Sequence, residues 1–132
     1  MPDASVPSVP SILIVDGSSD ARWLLADLAL NLGIFPYCAS TAEKGFRIFL
    51  EHRKKGMIAV LTDGHLERCS GLELALGVRA VSPLPVLLIS SDARFFVQEA
   101  PPGLFFRSFL KPCKMPALQA ALEEILTARR GH

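Results

Sequence analysis

The sequence predicts a doubly wound α/β domain: a five-stranded parallel sheet with five helices on its two faces. Three observations point there. Short apolar runs rich in β-branched residues recur along the chain, each is followed by a stretch whose apolar residues fall at helical spacing, and glycine or proline stands at most junctions. Parallel strands need crossovers, crossovers are right-handed, and helices used as crossovers cover both faces of the sheet. At 132 residues, 50% of them hydrophobic and 20% charged, the chain suits one packed domain; it is too short for two and too apolar for disorder.

Residues 1–10 (MPDASVPSVP) hold three prolines and two serines ahead of any periodic pattern and read as a flexible leader. SILIV at 11–15 is the first strand, ended by the turn-forming Asp16-Gly17-Ser18-Ser19. From Ser19 to Leu32, the positions Ala21, Leu24, Leu25, Leu28 and Leu32 recur at helical spacing, and Gly33 stops the helix. Trp23 and Leu30 are then turned outward, where the tryptophan is expected to be exposed and to anchor a partner helix. Residues 34–39 form the second strand, and 41–53 the second helix, with Thr41 as its N-cap. Gly56 precedes the third strand, MIAVLT at 57–62, and after a loop at 63–70 comes a short helix, Gly71–Val81. Pro83 and Pro85 lead into VLLIS at 86–90, the fourth strand. Residues 92–100 form a short helix stopped by Pro101-Pro102-Gly103, Phe105–Leu110 is the fifth strand, and the last helix runs from near Pro116 to about Arg129. The domain is set at 11–129, and 130–132 is a tail in which Gly131-His132 fits an appended scar.

With 14 basic residues against 13 acidic, the net charge of +1 offers no surplus of cations for a run of phosphates, so nucleic acid is not an expected partner of this domain. The apolar stretches are strand-sized, well short of the ~20 residues that span a bilayer, and no basic-then-apolar leader opens the chain. A cytoplasmic chain without membrane contact is the expectation. Cys38, Cys69 and Cys113 are odd in number with no close pair, which signals reduced thiols rather than disulfides or zinc.

In doubly wound sheets chemistry collects beyond the carboxyl ends of the strands. The residues standing there are Asp16, Asp63, Ser90-Ser91 and Lys111-Pro112. Singly, each has a turn, cap or solvated role; together, two carboxylates can hold a divalent cation while a lysine and a hydroxyl hold phosphoryl oxygens.

The segments carrying these residues, SILIVDGSSDAR, AVLTDGHLERCSGLEL, LPVLLISSDA and FLKPCKMPAL, resemble, over about 11–127, the receiver domains of bacterial two-component response regulators. The resemblance implies the flavodoxin-like receiver fold, with Asp63 as phosphoacceptor, Asp16 as the remaining member of the acidic pair, Ser90 as the switch hydroxyl and Lys111 as the phosphate-contacting cation. It implies Mg2+ as cofactor, held by Asp16, Asp63 and the backbone carbonyl of His65. A histidine kinase or phosphotransfer protein is the implied phosphodonor in a phosphorelay, and a second copy or an output domain the implied further contact. Such a domain is a signalling switch rather than an enzyme with turnover.

The sequence departs from the family's pattern at three places. Gly17 stands where a second acid is usual, which removes a direct ligand and should weaken Mg2+ binding. Glu67, four residues beyond Asp63, is a candidate replacement for that charge, with a solvated loop acid as the plainer reading. Ser108 replaces the aromatic residue usual three positions before Lys111, while five of the eight phenylalanines crowd between 95 and 109, most as core and some as a candidate contact surface. These departures keep open an alternative: a degenerate receiver that binds proteins independently of phosphate. An aspartate-based phosphohydrolase would need a second acid where Ser18 stands, and no G-x-G-x-x-G for a dinucleotide follows the first strand.

Overall fold

The computed structural model describes residues 9–130; residues 1–8 of the leader and Gly131-His132 of the tail lie outside the described residues. The elements alternate throughout: β1 (Ser11–Val15), α1 (Ser19–Asn31), β2 (Phe35–Ala39), α2 (Ala42–His52), β3 (Met57–Asp63), α3 (Gly71–Val81), β4 (Val86–Ser90), α4 (Ala93–Glu99), β5 (Arg107–Leu110) and α5 (Met115–Arg130). The five strands form one parallel sheet in the order β2-β1-β3-β4-β5.

The three central strands are covered on both faces, which is why they read as continuous apolar runs. Ile12 and Ile14 of β1 pack with Leu25 and Ala29 of α1 and Leu118 and Leu122 of α5, whereas Leu13 and Val15 pack with Phe49 of α2 and Leu74 and Val78 of α3. On the second face, Leu88 of β4 meets Ala93 and Phe96 of α4. The helix ends follow local chemistry. Ser18, Thr41 and Ser70 cap α1, α2 and α3, each hydroxyl accepting a backbone N–H three residues on, from Ala21, Lys44 and Glu73. Gly33 stops α1 at φ 76°, with its N–H on the Leu30 carbonyl and that of Ile34 on the Ala29 carbonyl, the paired bonds of a Schellman ending.

Several details differ from the sequence expectations. Leu24 does not face the sheet: it is 55% exposed, and Leu25 and Ala29 form the buried stripe. The flank of α1 that lies beside the edge strand β2 is the opposite one, where Arg22, Trp23, Ala26 and Leu30 line a cleft with Cys38. Trp23 is outward as expected, at 77% exposure. Phe105 and Phe106 precede β5 rather than lie in it, and they point to opposite faces, Phe105 toward the α2–α4 side and Phe106 toward α1 and α5. Of the clustered phenylalanines Phe96 is buried, Phe105, Phe106 and Phe109 are half-buried, and Phe95 is exposed. Pro10, assigned to the leader, already accepts a hydrogen bond from Phe35 N, and α5 extends to Arg130, one residue into the assigned tail. The three cysteines are free, and burial raises the pKa of each thiol. Among the described residues no helix is long and apolar enough to cross a membrane.

Candidate functional site

The order of the sheet reverses at β1, which pairs with β2 on one side and β3 on the other. The crevice beyond the carboxyl ends of β1 and β3 is therefore where side chains from several strands converge. Asp16 follows β1 directly and Asp63 ends β3, so the two carboxylates face a common space. Asp16 is buried, with 3% exposure, and its conformation is held from three sides. Its Oδ1 accepts from Ser18 N at 2.9 Å, its backbone N donates to the Ala39 carbonyl, and its carbonyl accepts from Arg22 Nη1 at 2.8 Å.

Lys111, just past β5, closes the arrangement. Its Nζ donates to Asp63 Oδ2 at 3.0 Å and lies 3.7 Å from Asp16 Oδ2, so one ammonium serves both acids. Partial burial pulls the lysine pKa down, but the hydrogen bond to Asp63 and the charges of Asp16 and Asp63 outweigh that, and the ammonium is held above its ordinary value. The other Asp63 oxygen, Oδ1, accepts from His65 N at 3.2 Å. Ser90 is fully buried at the end of β4 and makes no bond to Asp63; its Oγ accepts from Asp92 N at 3.1 Å. It stands beside the end of β3 nonetheless, since a methyl group on Gly64 would come within 2.8 Å of that oxygen.

Of the residues expected at the site, Asp16, Asp63 and Lys111 thus meet directly, His65 joins through its peptide, and Ser90 lies one residue away. Glu67 does not join them. It is exposed and lines a separate cleft with Lys44, Arg47 and Arg68, and among the described residues no group of three or more His, Cys, Asp or Glu side chains is placed to hold a metal. Asp16 and Asp63 offer hard carboxylate oxygens, the chemistry Mg2+ takes, and Gly17, next to Asp16, offers no side-chain donor. A side chain there would meet open space, with nothing within 4 Å of its Cβ.

Two supporting glycines were legible only as letters. A Cβ on Gly64 would lie 2.5 Å from Phe96 Cε2, so the ring of Phe96 covers the peptide that follows Asp63. At Gly71 an added Cβ would clash with the Asp63 carbonyl oxygen, and Gly71 N donates to Gly64 O at 2.8 Å, which seats the start of α3 directly against Asp63 and Gly64. Asp92 and the side chain of His65 were likewise not anticipated. A cleft of about 670 Å³ lined by Met57, Leu84, Phe106 and Ile125 lies at the opposite, amino-terminal edge of the strands and contains none of these groups.

No family model matches the chain, and no curated protein matches it in sequence. Among solved structures it is similar to a response regulator receiver domain protein from Clostridium thermocellum, at 21% identity and a TM-score of 0.78 over 92% of this chain and 98% of that one. A two-component response regulator from Clostridium difficile matches at 20% identity and a TM-score of 0.80, covering 89% and 96% of the two chains. A response regulator receiver protein from Pseudomonas putida matches at 25% identity and a TM-score of 0.74, covering 90% and 99%. The chain has the fold of these receiver domains.

Proposed function

We propose that this domain is a phosphoacceptor receiver that takes a phosphoryl group onto Asp63 from a histidine kinase or phosphotransfer protein and passes the change to protein contacts. The observation that carries this reading is the shared ammonium: Lys111 Nζ lies 3.0 Å from Asp63 Oδ2 and 3.7 Å from Asp16 Oδ2, at the mouth of the strand crevice. A carboxylate oxygen of Asp63 attacks phosphorus, a P–O bond forms, and the P–N bond to the donor imidazole breaks with the electron pair leaving on nitrogen. Both reactants are anionic, so positive charge must already stand at the oxygens, and Lys111 supplies it. Asp16, Asp63 and the His65 carbonyl are the groups that would hold Mg2+, which adds further charge neutralisation when bound. His65 N orients the acceptor carboxylate by holding its other oxygen. Ser90, buried one residue away, is the hydroxyl available to a phosphoryl oxygen.

Gly17 supports a second reading, a degenerate receiver that binds partners without phosphate, and exposed Ser108 on β5 adds to it because no aromatic side chain stands there to change rotamer. Incubation with acetyl phosphate, with and without Mg2+, separates the two by intact mass. One base-labile phosphate, absent from Asp63→Asn, is the expected outcome; an unmodified wild-type chain favours the second reading, and modification that survives Asp63→Asn overturns the assignment of the acceptor.

A further inference from the structure

The loop after Asp63 and the turn after Ser90 are joined by side chains that the phosphoacceptor chemistry does not use. His65 Nε2 lies 2.6 Å from Asp92 Oδ2, across 27 residues of sequence. Asp92 occupies the N-cap position of α4, where an aspartate ordinarily accepts a backbone N–H of its own helix, yet its side chain makes no such capping bond. Its carboxylate reaches instead to the other loop. One turn further along, the Phe96 ring meets the His65 ring at a steep angle, 5.1 Å between centroids, and covers Gly64. The backbone N–H of Asp92 donates to Ser90 Oγ at 3.1 Å. The residue that grips His65 is thus the one that holds the buried hydroxyl.

We propose that His65 and Asp92 form a strap that ties the β4–α4 turn to the β3–α3 loop and positions Ser90 away from Asp63 until a phosphoryl group draws it across. The proposal rests on Asp63 being the phosphoacceptor. For Ser90 Oγ to turn toward a phosphoryl oxygen it must leave Asp92 N, or the turn must move with it, and the strap opposes that movement. α4 has only seven residues and little helical stability of its own, so its position depends on such contacts. Both partners of the strap are more than half exposed, at 60% and 56%, which makes the contact weak and therefore breakable by a new ligand. His65 and Asp92 are positioning residues; neither touches the transferred group.

Four variants test this: His65→Ala, Asp92→Ala, the double variant, and His65→Gln, whose amide retains a donor toward Asp92. In the unphosphorylated chain, amide exchange across Ala93–Glu99 should quicken about two- to fivefold in the alanine variants, the range of an exposed polar side-chain pair. It should quicken no further in the double variant, return toward wild type in His65→Gln, and stay unchanged in α1. The rate of phosphate uptake on Asp63 from acetyl phosphate should rise by a similar factor and be reset by His65→Gln. Unchanged exchange in both alanine variants overturns the strap. Faster exchange with an unchanged uptake rate overturns its influence on Ser90, leaving a merely structural contact. A wild-type chain that takes up no phosphate overturns the phosphoacceptor reading and the positioning role with it, while the exchange data still decide whether the strap exists.

Discussion

Lys111 is the residue on which the pocket's electrostatics turn. Its ammonium is stabilised in the folded chain by Asp63 and Asp16 more than burial destabilises it, so its folded pKa lies above the unfolded value. A raised pKa means that this contribution to stability is fully present below the unfolded value, near about 10.4 for lysine, and is lost as pH rises through the folded value. Urea denaturation of wild type and Lys111→Gln at rising pH should therefore show a stability gap that is constant to about pH 9 and closes at alkaline pH. The side chain is 37% exposed, so solvent screening keeps the gap modest. Gly17 makes the complementary case. Its Cβ position is open, so Gly17→Asp should fold and should tighten Mg2+ binding in a direct metal titration by supplying the third carboxylate. Without metal the same variant should be less stable than wild type, because three acids then share one lysine. Equal metal affinities would place the cation away from Gly17.

At the level of the element, the loop after Asp63 is shaped by close approach rather than by turn geometry. Gly64 and Gly71 have no positive φ, unlike Gly33, and what each accommodates is a neighbour: the Phe96 ring over Gly64, the Asp63 carbonyl against Gly71. Gly64→Ala should cost about 1–3 kcal/mol, since the ring can swing aside. Gly71→Ala should cost more, because its clash is with backbone at the end of β3 and relief requires shifting α3. Chemical denaturation of the two variants checks the order, and the Gly71 variant should also slow phosphate uptake on Asp63. Element boundaries were well marked in the sequence where caps act locally, as at Thr41 and Gly33, whereas Ser18 was read only as part of a turn. They were poorly marked where pairing decides: Phe105 and Phe106 have strand-like composition, but β5 begins only at Arg107, where its pairing with β4 is established at Leu87.

Across the whole molecule, burial rather than side-chain size decides what a substitution costs. Leu87→Ala, at a fully buried position in β4, should lose about 2–5 kcal/mol, while Trp23→Ala, though it deletes a larger side chain, should change stability by no more than about 0.5 kcal/mol. Red-shifted, readily quenched Trp23 emission would accompany that result. The sequence by itself determined the alternation of strands and helices, hence the parallel sheet, and it determined that Asp16, Asp63, Ser90 and Lys111 stand at strand ends, because periodicity and punctuation are local properties of the chain. It did not determine which flank of α1 is buried: Leu24 and Leu25 are the same residue type at adjacent helical positions, and only the way α1 is seated on the sheet buries one and leaves the other in solvent. Nor did it reveal that one ammonium is shared by two carboxylates, that Glu67 stays apart from them, or that Asp92 gives up its helix cap for His65. Those arrangements depend on distances between segments far apart in the chain, which packing sets and residue spacing does not encode.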